Sequence, residues 1–60
     1  MLDAYNDVLL ADEVCEILHM SRNSLYFLLH SGQLKGFQQG RIWKIPKAAV
    51  EAYIVKRAGL

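Results

Sequence analysis

Residues 21 to 46 read SRNSLYFLLHSGQLKGFQQGRIWKIP, a stretch whose pattern changes from helical to extended part-way along. Ser21 is a good helix N-cap, because its hydroxyl can accept a hydrogen bond from a backbone N–H of the first turn. Gly32 follows Ser31 at the place where a helix end is expected. Between them lies a leucine stripe at the spacing of one helix face: Leu25, Leu28 and Leu29. The opposite face carries Arg22, Asn23, Tyr26, Phe27 and His30.

Beyond Leu34 the apolar period changes to two, which predicts two strands joined by a tight turn. We favour a register that pairs Phe37 with Trp43 across a three-residue loop, since a loop of this length commonly needs a glycine at positive φ. This register makes both aromatics core residues. The loop is Gln39, Gly40 and Arg41, and the outer face of the hairpin is Gln38, Ile42 and Lys44. The alternative is a two-residue Gly40-Arg41 loop that pairs Gln38 with Trp43 and separates the aromatics.

The segments on either side complete a small domain. Residues 1 to 8 show no period and form a leader that can add an extended segment. A first helix of about two turns is predicted from Leu10, Val14, Ile17 and Leu18, and His19-Met20-Ser21 then gives the spacing of a helix-turn-helix. Pro46 suits a helix start. A third helix ending near Ala58-Gly59 is predicted from Ala49, Val50, Tyr53 and Ile54. The expected fold is mainly α with a small β-hairpin (helix, helix, two-stranded wing, helix) in a domain over residues 9 to 58.

Length and composition exclude several classes of protein. Sixty residues allow one domain of marginal stability and no large catalytic cleft. A single cysteine, Cys15, excludes an internal disulfide, and we assign it no chemistry. No cluster of Cys or His has metal-ligand spacing, and no run is long enough to span a membrane. We expect a cytoplasmic protein that has no cofactor or metal and is not an enzyme.

Charge is sorted along the chain. Residues 1 to 21 carry five acidic side chains and no Lys or Arg, whereas residues 22 to 60 carry seven basic side chains and one acidic, a balance of +6. The formal net charge of +1 therefore hides a strong asymmetry. The acidic half is either an ordinary solvated surface or an attraction for the basic side of a neighbouring copy.

A basic, polar-faced helix followed by a narrow hairpin suits duplex DNA, because a major groove admits one helix. Arg22 can bind guanine or phosphate, and Asn23 can pair with adenine. Arg41 at the hairpin tip suits a narrowed minor groove. The full set of candidate DNA-binding residues is Ser21, Arg22, Asn23, Ser24, Tyr26, Phe27, His30, Lys35, Gln38, Gln39, Gly40, Arg41 and Lys44.

The order of four short motifs carries a family resemblance. They are L-x-x-x-E-V-x-x-I-L at residues 9 to 18, S-R-x-S-L-Y at 21 to 26, S-G-x-L at 31 to 34 and G-R-x-W-K-I-P at 40 to 46. Together they resemble the excisionase-type winged helix-turn-helix domains related to the MerR group. The resemblance implies that the second helix enters a major groove and the wing contacts the adjacent minor groove. It also implies a bacterial or phage-encoded, nucleoid-associated protein. Such a mobile-element or phage excisionase binds repeated sites, bends DNA and, in DNA recombination, directs a tyrosine recombinase (the integrase) toward excision.

The sequence departs from this family at four positions where basic residues are common: Asn23, Phe27, Gln38 and Ile42. About four to six phosphate contacts would remain, so a single copy should bind weakly at physiological salt and several copies should bind together. Two alternatives remain open. One is a small MerR-like transcriptional regulator, and the other is a protein-interaction module that uses the surface of Tyr26, Phe27 and Ile42.

Overall fold

The computed structural model describes residues 2 to 60 and contains three helices and three strands. In chain order they are β1 (Val8–Leu10), α1 (Ala11–Leu18), α2 (Arg22–Ser31), β2 (Phe37–Gln39), β3 (Ile42–Pro46) and α3 (Lys47–Ala58). We call β2, β3 and the Gly40-Arg41 loop between them the wing. The predicted fold is confirmed: the chain is a winged helix-turn-helix, with the wing between α2 and α3.

The sheet has one strand more than the predicted hairpin. It is antiparallel with the order β1-β3-β2, so β3 is central and β1 covers the edge that β2 leaves free. Leu9 pairs with Ile45, and both side chains are fully buried. The backbone N–H of Lys47 also donates to the carbonyl of Asp7 at 2.7 Å. The chain before α1 is thereby fixed to the start of α3.

Leu10 does not belong to the helix stripe that the sequence predicts. It ends β1 and serves as the N-cap of α1, with its side chain exposed, while Leu9 and Ala11 take the buried positions. The reason is the strand period of two, which turns Leu10 outward once Leu9 points inward. The backbone N–H of Leu10 donates to the carboxylate of Glu13 at 3.0 Å, which caps the helix that begins beside it.

The favoured register of the wing is wrong. Gln38 pairs with Trp43 and Phe37 with Lys44, so the loop is the two-residue alternative, Gly40-Arg41. Gly40 has φ +65° and Arg41 has no positive φ, the pattern of a type II′ hairpin turn with glycine first. Trp43 then lies on the core side, whereas Phe37 is half exposed on the other face and is not a core residue. Gln38 shares the face of Trp43 and does not lie on the outer face.

The second and third helices agree with prediction. α2 runs from an N-cap at Ser21 to Gly32, which has φ +81°, and its leucine stripe is buried. α3 begins after Pro46 and ends at Gly59, with Val50 fully buried. The helix-turn-helix connection is closed by His19, which adopts the left-handed conformation at φ 53°. The core consists of Leu9, Ala11, Val14, Leu25, Leu28, Leu29, Leu34, Ile45 and Val50.

None of the helices within residues 2 to 60 combines the length and the apolar character needed to cross a membrane.

Candidate nucleic-acid interface

The start of α2 is fixed by its own side chains. The hydroxyl of Ser21 accepts a hydrogen bond from the backbone N–H of Ser24 at 3.2 Å and lies 3.1 Å from the Ser24 hydroxyl. This cap satisfies one of the unpaired N–H groups of the first turn. The helix therefore starts firmly at Arg22, where the first candidate DNA-binding side chains project.

Within residues 2 to 60, Arg22 has two side-chain partners. Its guanidinium forms an ion pair with the carboxylate of Asp12, the second residue of α1, and donates from Nη1 to the hydroxyl of Tyr26 at 3.1 Å. The hydrogen bond that Arg22 donates to Asp12 raises the pKa of Arg22 above its ordinary value, and the hydrogen bond that it donates to Tyr26 adds to this effect. Arg22 accordingly keeps its positive charge at every pH at which duplex DNA is paired.

A cleft joins the start of α2 to the wing tip. Its volume is about 240 Å³, and Arg22, Tyr26 and Arg41 all line it. These are three of the residues that the sequence predicts to bind DNA, although Arg41 is 19 positions beyond Arg22 in the chain. The remaining lining residues are Leu10, Ala11, Asp12, Ile42 and Trp43. The fold thus brings the two candidate arginines to one opening.

Other predicted residues of α2 lie on a different side of the helix. Asn23, Ser24 and Phe27 line an open groove of about 420 Å³ between α2 and α3. Phe27 is 65% exposed there, although it is a large apolar side chain in the middle of a helix. Its neighbours in the groove are Met20, Leu28 and Tyr53. Phe27 does not line the cleft that holds Tyr26 and Ile42, so the three residues of the predicted protein-interaction surface do not share one pocket.

His30 connects the end of α2 to the wing. Its ring meets the ring of Trp43 edge to face, with the ring centres 5.6 Å apart and an angle of 89° between their planes. Such pairs are geometrically specific and contribute about 0.5–1.5 kcal/mol. The contact is possible because Trp43 lies on the same face of β3 as the buried Ile45, which is the face toward the core.

The wing itself is held mostly by its backbone. All three residues of β2 are exposed, and among residues 2 to 60 no side-chain hydrogen bond involves Gln38, Gln39 or Arg41. Lys35 is exposed in the connection before β2, and Lys44 lies in the central strand. Sequence reasoning missed Gly36, where an added Cβ would lie 3.0 Å from Cδ2 of Leu29. This glycine lets the wing lie close against α2.

The outer face of the sheet is more apolar than the sequence suggests. One cross-strand row consists of Leu10, Lys44 and Phe37, since Lys44 is paired with both of the others. Val8 and Ile42 belong to the same face, because they lie two residues from Leu10 and Lys44 along their strands. The four exposed apolar residues of this outer sheet face are Val8, Leu10, Phe37 and Ile42.

Two further observations limit what the surface can do chemically. In the part of the chain that the structure describes, no group of three or more His, Cys, Asp or Glu side chains could hold a metal ion. Asp12, an acidic residue in the first turn of α1, forms an ion pair with Arg22. A carboxylate and a guanidinium ten residues apart carry no periodic signal, so only the crossing of α1 and α2 reveals this pair.

Comparison with known proteins identifies the family of this chain. A family model described as a helix-turn-helix domain matches residues 8 to 58. The chain belongs to this family. It is therefore a DNA-binding domain of the helix-turn-helix kind, in a family that includes excisionase-like domains. A search of curated proteins and a search of solved structures each found no match.

Proposed function

We propose that this helix-turn-helix domain binds specific sites on double-stranded DNA, with α2 in a major groove and the wing at the adjacent minor groove. The observation that carries the proposal is the cleft that joins Arg22 and Tyr26 of α2 to Arg41 of the wing. Two cations at one opening, one on a helix start and one on a hairpin tip, match a duplex whose grooves alternate along one side.

We assign base, phosphate and minor-groove contacts to the candidate residues from their positions in the fold. Arg22 and Asn23 are at the start of α2, where residues of a recognition helix reach base edges. Ser21, Ser24 and His30 would bind phosphate or border the groove. Arg41 lies at the tip of a narrow two-residue turn, which suits insertion in a minor groove of high negative potential. Lys35, Lys44, Gln38, Gln39 and Gly40 would follow the backbone beside it.

The finer role that we propose is that of an excisionase of the MerR-related type. A domain with about four to six phosphate contacts binds weakly at physiological salt, so copies on adjacent sites would act together, bend the DNA and direct a tyrosine recombinase. A small transcriptional regulator would have the same domain, because fold does not determine such a role. Cleavage and joining reactions with a purified integrase on its attachment sites distinguish the two roles. An excisionase shifts the products toward excision, and a regulator leaves them unchanged.

Substitution of each arginine tests the DNA-binding mode. We expect Arg22→Ala and Arg41→Ala each to weaken binding to a site selected from a random duplex pool by at least about 1 kcal/mol. Arg22→Ala should also relax the base preference at one position, whereas Arg41→Ala should weaken selected and random duplexes almost equally. Gel-shift titrations of both variants on both duplexes give these values.

Arg57→Ala is the matched control, since Arg57 lies in the last turn of α3 and lines neither the cleft nor the groove beside α2. It removes the same charge and should change affinity less than either of the other substitutions. If the Arg22 and Arg41 variants both bind DNA as wild type does, the proposed mode of DNA binding is refuted.

Contact between copies would use the outer sheet face. Its four exposed apolar residues lie in one cross-strand patch that a neighbouring copy would cover. We expect Phe37→Ser to abolish cooperative binding to a duplex with two adjacent sites while one-site affinity stays the same. Phe27→Ser, on α2, is the control for loss of an exposed aromatic. Cooperativity that survives Phe37→Ser would exclude this surface.

The second candidate function is a protein-interaction module. It is favoured by one observation, the strong exposure of Phe27 and Ile42. Salt dependence separates the candidates. Affinity for duplex DNA that falls steeply with salt supports the first. Salt-insensitive binding to a protein, with no binding to duplex DNA, supports the second.

A further inference from the structure

We propose that Asp12 is a positioning and specificity-determining residue, which holds the Arg22 guanidinium for a base edge and reduces its attraction to phosphate. The inference rests on the proposed function, because it assumes that α2 reads DNA. It assigns a role in recognition to an acidic side chain on the helix that precedes the recognition helix.

The contacts of Arg22 fix both ends of its guanidinium. Nη2 donates to Oδ1 of Asp12, and Nη1 donates to the hydroxyl of Tyr26 one helical turn further on. A guanidinium has five N–H donors in a planar fork, so three remain after these two bonds. Those three still allow a two-bond contact with guanine. The arrangement therefore orders a flexible side chain without using up its capacity to read a base.

The charge of Asp12 affects the two kinds of DNA contact differently. Attraction to phosphate depends on net charge, and a carboxylate paired with the guanidinium offsets most of that charge. Hydrogen bonds to a base edge depend on direction, which the pair preserves. Asp12 should accordingly weaken binding to random DNA and, because it orders the guanidinium, strengthen binding to the selected site.

The same pair adds little to the stability of the free protein. Both side chains are largely in water, with 51% of Arg22 and 77% of Asp12 exposed, and such pairs are screened and weakly stabilising. When DNA covers the cleft, the water leaves and the pair becomes stronger. Loss of the carboxylate should therefore alter recognition without unfolding the domain.

Among the neighbouring carboxylates, only Asp12 has this position. Glu13 accepts the N–H of Leu10 and caps α1. Glu16 lies one turn after Asp12 on the same helix, is exposed, and has no hydrogen bond or ion pair within residues 2 to 60. Glu16→Gln therefore removes the same charge from the same helix without touching Arg22, which makes it the matched control.

The test compares Asp12→Asn, Glu16→Gln and wild type on two probes, a duplex selected by the wild-type protein and a random-sequence duplex of equal length. For Asp12→Asn we expect affinity for the random duplex to rise about threefold and its salt slope to steepen by about 0.9. The ratio of selected to random affinity should fall roughly fivefold or more. Asp12→Glu, which restores a carboxylate, should recover part of that ratio.

Three results would overturn the inference. The first is an Asp12→Asn variant that keeps the wild-type ratio, as Glu16→Gln should. The second is a rise in selected-site affinity as large as the rise on random DNA, which would mean that phosphate simply displaces Asp12. The third is equal loss on both probes together with a lowered melting temperature, which would indicate a structural role. Tyr26→Phe provides a second measurement, since it removes the other partner of Arg22 and should also lower the ratio.

Failure of this inference differs from failure of the proposed function. If the wild-type protein selects no sequence from the random pool, the proposed function itself fails. If it selects a sequence and Asp12→Asn behaves like Glu16→Gln, sequence reading stands and the role of Asp12 is refuted.

Discussion

The start of α2 and the tip of the wing are the two regions proposed to contact DNA, and they are held in different ways. At the helix start, side chains bond to one another and to α1 through the Ser21 cap and the pairing of Arg22 with Asp12. At the wing tip, strand pairing holds the backbone while the side chains of Gln39 and Arg41 stay exposed.

This difference indicates what each region can contribute. A side chain whose direction is fixed can form hydrogen bonds that distinguish one base from another. An exposed cation on a narrow turn follows the electrostatic potential and adds affinity with little sequence preference. We therefore expect the helix start to supply most of the specificity and the wing to supply most of the salt-dependent affinity.

The largest expected effect is on stability and follows from a substitution in the buried face of α2. Leu25 is fully buried on the inner face of α2, and Leu25→Ala should lower the free energy of unfolding by about 3 kcal/mol. In a domain of sixty residues this is a large share of the total stability, so much of the protein would be unfolded at 25 °C. Urea denaturation followed by circular dichroism measures the loss.

The matched substitution in the wing is Phe37→Ala. Phe37 is 50% exposed, so its removal should cost less than about 1 kcal/mol. Losses of equal size at the two positions would mean that Phe37 is a core residue, and the observed register of the wing would be refuted.

An intermediate effect is expected at Gly36, where the chain that enters the wing lies against α2. An added Cβ at Gly36 would lie 3.0 Å from Cδ2 of Leu29, 3.1 Å from Cγ1 of Ile45 and 3.3 Å from the carbonyl oxygen of Lys44. Gly36→Ala should lower the free energy of unfolding by about 1 kcal/mol and should weaken duplex binding, because the wing must move away from α2. Lys35→Ala, one residue earlier and exposed, is the control for stability. A Gly36→Ala variant more stable than wild type would show that the Leu29 side chain moves aside without lowering the free energy of unfolding.

Local signals predict most of the helices correctly. Ser21 and Gly32 mark the ends of α2, and the leucine stripe identifies its inner face. Pro46 and Gly59 do the same for α3. These predictions are correct because helix caps and helix faces depend on backbone groups and side chains within a few residues of one another.

The register of the wing could not be predicted in the same way. A period of two fits either loop length, and the choice depends on how the first arm lies against a residue distant in sequence, as in the contact of Gly36 with Leu29. The prediction for Leu10 is wrong for a related reason. Leu9 and Leu10 are adjacent and both apolar, so the sequence pattern alone allows either of them to be the buried residue. The Asp12 and Arg22 pair was missed because it bridges two helices.

A last pair of substitutions tests the account of the helix start. Ser21→Ala removes the cap acceptor and should lower the free energy of unfolding by about 1 kcal/mol, measured by urea denaturation. Ser21→Asp keeps an acceptor and places a negative charge at the positive helix end, so stability should stay near that of wild type. The same charge would face phosphate, so duplex affinity should fall well below that of the Ser21→Ala variant. If Ser21→Asp instead binds DNA as well as wild type does, the start of α2 does not approach the backbone and the helix reads DNA from further along.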